Sequence, residues 1–382
     1  MPQAAQVCHM LTRGMAAILS YVLATAQADS AGTRLPAAIS RGPAGDGAHV
    51  IADISQVLFI GATAIFVVVF ALVAVALFGP AAARRRLSSP ALIVGAGIAF
   101  PVVALTALLV YALSTGPSMA GDGAKPAVRI AVKGELWWWR VRYHDASGAV
   151  LFDTANDIRI PVGAWVEFEL SSDNVIHSFW VPELAGKLDM IPGRVNRLRV
   201  RAQTAGTFTG QCAEYCGAQH ANMKFNVVAL EPDAYQAWQD AQVRPAEVRP
   251  AEVRPAEVRP AEVRPAEVRP AEVRPAEVRP AEAPPAQASA PTLHQGAQVF
   301  QQACAQCHTV RGTAARGTLG PDLTHVGSRL SLAAGVLPNN VGALAGWIAD
   351  SQHIKPGNPM PSFNQLPGED LRAVARYLES LK

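Results

Sequence analysis

The sequence predicts a multidomain chain: a two-helix transmembrane hairpin, an all-β Greek-key domain, a disordered Pro-rich repeat linker and an all-α C-terminal domain. Three observations carry this prediction. Ile54 to Phe78 and Pro90 to Leu113 are apolar runs, each long enough to cross a bilayer core of roughly 30 Å. From about Lys125 to Leu230 the pattern changes to short alternating stretches punctuated by Pro and Gly. Residues 243–282 are eight perfect copies of Val-Arg-Pro-Ala-Glu, which part the alternating region from the C-terminal domain.

At 382 residues the chain has room for two or three domains. The net charge of +3 is too small and too dispersed to suggest nucleic-acid binding. Four of the five cysteines fall in two tight metal-type motifs, which argues against a disulfide scaffold. The fifth, Cys8, lies in an N-terminal stretch whose short apolar core ends in Ala-Thr-Ala-Gln-Ala28, so residues 1–28 read as a cleaved secretory signal. Residues 29–52 are polar and contain Gly and Pro, as a mobile mature N-terminus would. The membrane hairpin is placed at 53–116. No Asp or Glu occurs between Asp53 and Asp122, and the connection carries Arg84, Arg85 and Arg86. The positive-inside rule puts that connection in the cytoplasm and both ends of the hairpin outside.

In the β region, Arg129 to Lys133, Trp165 to Leu170 and Arg197 to Arg201 alternate as half-buried strands do. Many short strands separated by such turns predict a Greek-key sandwich. Its most informative stretch is Cys212-Ala-Glu-Tyr-Cys216-Gly-Ala-Gln-His220-Ala-Asn-Met223, with His177 upstream. Soft sulfur with imidazole favours copper, zinc or iron–sulfur over hard cations. A structural zinc loop or a Cys212–Cys216 disulfide would leave Met223 and His177 without a purpose. The thioether tilts the choice to copper, and two thiolates suggest a bridged pair of copper ions.

At this point the chain resembles subunit II of the haem–copper oxidases, whose dinuclear CuA centre carries C-x-E-x-C-x3-H-x2-M; every position of that pattern is present. The resemblance implies a cupredoxin fold over about residues 125–232. It implies bridging thiolates from Cys212 and Cys216 and terminal imidazoles from His177 and His220. Met223 and the Glu214 backbone carbonyl become weak ligands, one to each copper. The Glu214 carboxylate matches a residue that reaches a magnesium ion at the border with subunit I. Gly134-Glu-Leu-Trp-Trp-Trp139 matches the family's aromatic segment, and Trp137 the position proposed for electron entry. Read as a strand, this segment puts Trp137 and Trp139 on one face and Trp138 on the other.

Proline at every fifth position blocks continuous helix across the repeat, and its eight Arg and eight Glu cancel. Residues 243–292 therefore read as a solvated tether. Fifty flexible residues span about 40 Å on average, and a fully extended polyproline form roughly 155 Å. The tether leads to Cys304-Ala-Gln-Cys307-His308, the haem c attachment pattern, with thiols for the vinyl groups and an adjacent proximal histidine. Gln295 to Gln302 fits a helix before the motif. Gly368 to Leu381 fits a C-terminal amphipathic helix with Leu371, Val374, Ala375 and Leu378 on one face. The match to class I cytochrome c covers residues 293–382. Met360, set between two prolines, is the only methionine after Met223 and the candidate sixth ligand; His325 and His353 are its rivals.

Together these parts resemble subunit II of a bacterial caa3-type cytochrome c oxidase with cytochrome c fused to it. The resemblance implies a two-span protein of the bacterial inner membrane, with its copper and haem domains on the periplasmic side. Its partners would be subunit I, holding haem a and the haem a3–CuB site, subunit III, and a donor cytochrome c or bc1 complex. The complex would reduce O2 to water and pump protons, while this chain only relays electrons. One departure is the lack of a carboxylate in the spans, which puts proton entry through this subunit in doubt. The nearest alternative is the electron-input subunit of a CuA-containing nitric oxide reductase. A copper chaperone would lack the His-x2-Met continuation, and a soluble nitrous oxide reductase would lack the spans.

Overall fold

The computed structural model describes residues 42–119, 123–245 and 290–382. The predicted signal, residues 29–41 and most of the repeat tether lie outside the described residues. The chain divides into two compact units, the first carrying the apolar helices and the β-sandwich, the second the C-terminal helices.

Helix α1 runs Asp46–Phe78. The expectation of a mobile segment up to residue 52 is therefore corrected from Asp46 onward, and the reason is a set of bonds to the sandwich. The Ala44 and Gly45 amides donate to the Glu183 carbonyl at 2.8 and 3.0 Å, and the Ala48 amide to Leu184 at 3.2 Å. The Asp46 carboxylate accepts from Arg201 and, at 2.8 Å, from Gln203 Nε2. That carboxylate also sits in the first turn of α1, where the helix dipole favours negative charge.

The connection between the two spans forms a short helix, α2 (Ala81–Leu87), that carries the three arginines. The second span starts as α3 (Pro90–Val94), capped by Ser89 with Pro90 in the first turn, and continues as α4 (Phe100–Met119). Between them Gly95–Ala99 is a π turn, in which the Phe100 amide reaches back five residues to the Gly95 carbonyl. Pro101 has no N–H to offer to Gly97, so a wider turn at this point costs little. Both spans are long and apolar enough to cross a membrane.

The sandwich consists of two five-stranded sheets. The first has order β3 (Val150–Ala155), β2 (Trp138–His144), β1 (Val128–Glu135), β5 (Val166–Ser172), β8 (Asn196–Val200). The second has order β4 (Asp157–Pro161), β10 (Lys224–Leu230), β9 (Gly206–Cys212), β6 (His177–Trp180), β7 (Leu188–Met190). Inward residues alternate along β1 and β10 as period 2 demands, burying Ile130, Val132, Phe225 and Val227. Trp139, Phe179 and Phe225 form the aromatic centre, with ring centroids 4.5–5.9 Å apart.

Helix α5 (Pro232–Val243) lies beyond the predicted end of this domain and takes up the tether's first residue, Val243. It packs Trp238 on Tyr143 and Phe152, with centroids 5.3 and 5.7 Å away. Pro232 at its start and aromatics at 235 and 238 were the available signals.

In the second unit α6 (Ala290–Ala303) begins three residues inside the predicted tether. Helices α7 (Val341–Ala349), α8 (Ser351–Ile354) and α9 (Gly368–Ser380) complete it. The all-α expectation needs one amendment, a minimal antiparallel pair of β11 (Ser331–Leu332) with β12 (Leu337–Pro338). α9 buries Val374, Ala375 and Leu378, as its periodicity predicts, and also Ala373 and Tyr377. Tyr377 meets Phe300 of α6 at 5.8 Å, and Gln295 bonds Asp370 at 2.7 Å.

A hydrogen bond to a charged group contributes about 1.5–3 kcal/mol, and the partial exposure of Arg201 points to the low end. Asp46→Ala should therefore raise hydrogen–deuterium exchange at residues 44–48 by roughly tenfold and leave the C-terminal unit unchanged. Equal exchange in both proteins would show that the carboxylate does not hold the joint.

Candidate metal centre and haem-attachment site

His177 opens β6 and Cys212 closes β9. These strands pair antiparallel with Phe179 opposite Cys212, which brings Cys212 Sγ to 3.8 Å from His177 Nδ1. The chain then leaves the sheet and returns at Met223, whose carbonyl accepts the Cys212 amide at 3.0 Å and closes the loop at its neck. Inside the loop, Cys216 Sγ stands 3.8 Å from Cys212 Sγ, 3.7 Å from His220 Nδ1 and 3.9 Å from Met223 Sδ. The Glu214 carbonyl oxygen lies 3.2 Å from Cys212 Sγ. The six residues predicted from sequence thus come together in one cluster, with two thiols in the middle and an imidazole beside each.

Both cysteines are free of disulfides. His177 and Met223 are fully buried, and the two thiols nearly so. Hydrogen bonding with Cys216 holds the Cys212 thiol down to about 3, against desolvation and with help from His177. A buried set of thiolate, imidazole and thioether donors fits a soft metal.

The surroundings fix the donors. A Cβ on Gly134 would come within 2.6 Å of the His177 ring, so β1 can pass beneath that imidazole only as glycine. Trp139 flanks the same ring, at 6.2 Å between centroids. His177 Nε2 lies 3.1 Å from Asn174 Oδ1. Sequence reasoning gave neither Gly134 nor Asn174 a role, although Gly134 opens the aromatic segment and Asn174 stands three residues before His177.

Trp137 requires a correction. It is not on a strand beside Trp139 but in the two-residue turn Leu136–Trp137 that joins β1 to β2, because Gly134 pairs with Trp139 and Glu135 with Trp138. From that turn its indole N–H donates to the Cys216 carbonyl at 2.8 Å. Trp139 is buried, and Trp138 lies on the other face under the Arg140 guanidinium at 4.7 Å. The Glu214 carboxylate is half-exposed, 3.6 Å from Lys187 Nζ, which also contacts Asp189 at 3.3 Å.

In the second unit, α6 delivers Cys304 to a turn in which the Cys307 and His308 amides both donate to the Cys304 carbonyl, at 3.1 and 3.0 Å. Burial, then Cys307, pushes the Cys304 thiol up to about 11. His308 Nδ1 donates to the Pro321 carbonyl at 2.9 Å, which leaves Nε2 as the free donor. Burial lowers the proton affinity of that imidazole. A Cβ on Gly320 would lie 2.4 Å from His308 Cε1, a second ring seated on a glycine. Met360 packs against the core of this unit. Its carbonyl accepts from Ser351 Oγ at 2.7 Å and Gln352 Nε2 at 2.6 Å, and its amide donates to Asn358 Oδ1 at 2.8 Å. Of its rivals, His325 is buried and His353 exposed on α8. Two thiols beside an imidazole with one free nitrogen fit covalent haem attachment.

Overpacking costs about 1–3 kcal/mol, so a methyl group beneath either ring should expel the ring from its place. Gly134→Ala should lower copper per chain and preserve the haem c absorbance, and Gly320→Ala should do the reverse. Metal analysis and a pyridine haemochrome assay read both. Parent-like metal and haem content in both variants would show that neither glycine seats its ring.

The family model for the cytochrome c oxidase subunit II periplasmic domain matches residues 143–230, and the cytochrome c model matches residues 293–382. Cytochrome c oxidase subunit 2 of Alkalihalophilus pseudofirmus is 34% identical over 292 residues, covering 74% of this chain and 71% of that one. The Bacillus subtilis subunit 2 is 28% identical over 298 residues, covering 75% and 70%. A crystal structure of the periplasmic domain of subunit II of cytochrome oxidase from Bradyrhizobium japonicum is 29% identical, with a TM-score of 0.29, and covers 31% of this chain and 95% of that one. The chain belongs to the cytochrome c oxidase subunit 2 family and carries a cytochrome c domain at its C-terminal end.

Proposed function

We propose that this chain is the electron-input subunit of a caa3-type, proton-pumping cytochrome c oxidase. One observation supports it above the others: a cluster of two buried thiols, a buried thioether and two imidazoles, one of them buried, shares a chain with a Cys-x-x-Cys-His haem unit and two membrane-length helices. In this reading Cys212, Cys216, His177 and His220 would hold a pair of coppers, with Met223 and the Glu214 carbonyl as weaker donors. Bound there, such a pair supplies one-electron chemistry with little change of geometry. With every thiol, imidazole and thioether of the cluster engaged in holding metal, the centre would serve relay rather than reaction.

Cys304 and Cys307 would hold haem c covalently, with His308 and Met360 as the residues that would ligate its iron; Met/His ligation would raise its potential. Trp137 is the electron-entry candidate, and its hydrogen bond to the Cys216 carbonyl supports that role. The half-exposed Glu214 carboxylate is the candidate magnesium contact at the border with subunit I, in competition with Lys187. The sandwich and haem domain stand on the periplasmic side of a bacterial inner membrane, with Arg84–Arg86 opposite. A donor cytochrome c or bc1 complex delivers electrons, and subunits I and III complete the enzyme. The lack of a carboxylate between Asp53 and Asp122 argues against proton entry through this subunit.

The purified membrane complex should show haem a absorption beside haem c, a near-infrared copper band and oxygen uptake with a reduced cytochrome donor. Nitric oxide consumption without haem a would overturn the oxidase reading in favour of a nitric oxide reductase.

A further inference from the structure

The hydrogen bonds around Asn174 can be read in only one direction. The Val175 backbone N–H, a donor whatever the side chains do, faces Asn174 Oδ1 at 2.8 Å. The atom at that position must accept, so it is the amide oxygen and not the nitrogen. Ser172 Oγ holds the segment from behind. It donates to the Val175 carbonyl at 2.6 Å and accepts the Asn174 backbone amide at 3.3 Å. The same Asn174 oxygen lies 3.1 Å from His177 Nε2. An amide oxygen has no proton to give, so Nε2 carries the ring hydrogen. Nδ1 then presents its lone pair on the side where Cys212 Sγ stands at 3.8 Å.

We propose that Asn174 is a positioning residue. It fixes the Nε2–H tautomer of His177, and its neutral amide sets how strongly that imidazole donates to the metal. The inference rests on the copper reading of the cluster. It also makes the two imidazoles unequal. His177 is fully buried and held by Asn174, whereas His220 is half-exposed with its ring against Tyr215 at 5.8 Å. Asn174 itself is exposed, so replacing it opens no cavity in the core.

The test compares the purified full-length complex with its Asn174→Asp and Asn174→Leu variants. Copper per chain, the near-infrared band, the copper potential and copper loss to a chelator are measured, and haem c absorbance serves as an internal control of folding. In Asn174→Asp a carboxylate accepts from the ring N–H more strongly, which makes the imidazole a better donor and lowers the potential. Asn174→Leu offers no acceptor, so the potential should rise and copper should be lost about 10- to 100-fold faster. Opposite shifts in the two variants distinguish tuning from mere disturbance. Potentials and copper retention equal to the parent in both variants would overturn the role of Asn174 alone. A parent complex without bound copper would overturn the copper reading and this inference together.

Discussion

The pairing of β6 with β9 is the constraint on which the thiol–imidazole cluster depends. Side chains alternate strictly along a strand, so a slip of one residue would turn Cys212 to the opposite face and separate it from His177. The aromatic core opposes that slip. Phe179, which faces Cys212 in the ladder, also packs on Trp139, Phe168 and Phe225 and cannot change sides without emptying the centre of the sandwich. The bond from the Cys212 amide to the Met223 carbonyl then closes the loop, so one strand register sets donors that are far apart in sequence.

His177 and His308 are held by the same scheme with opposite nitrogens. His308 gives its Nδ1 hydrogen to the Pro321 carbonyl and keeps Nε2 free, while His177 faces Asn174 through Nε2 and keeps Nδ1 free. Each ring lies against a glycine that leaves no room for a methyl group. An acceptor behind the ring and backbone beneath it remove both the tautomeric and the rotational freedom of a histidine. The orientation of both rings is then set by the protein fold itself.

Local signals made much of this legible in the sequence. The spacing from Cys212 to Met223 and the Cys304–His308 motif name their donors because loop geometry holds them close along the chain. The apolar spans and the amphipathic C-terminal helix were legible because a single periodicity runs through each. What escaped depended on tertiary partners. Asp46 looked like a polar tail residue until Arg201 and Gln203, far along the chain, gave its carboxylate a place. Trp137 read as strand because three tryptophans in a row look extended, but the pairing of Gly134 with Trp139 puts it in a turn. Helix α5 has little apolar surface of its own and is held by Tyr143 and Phe152. Asn174 resembled any loop residue, and only the Val175 amide and the His177 ring give its oxygen a direction.

The joint at Asp46 also bears on how the sandwich is carried. Helix α1 has 33 residues and at 1.5 Å per residue is about 50 Å long, against a hydrocarbon core of roughly 30 Å. The helix exceeds that core by several turns, and its first turn is clamped to the sandwich through Arg201, Gln203 and the Glu183 carbonyl. A helix clamped at its start carries the sandwich at a set reach: each residue added to or removed from α1 changes the length between that clamp and the Phe78 end by about 1.5 Å.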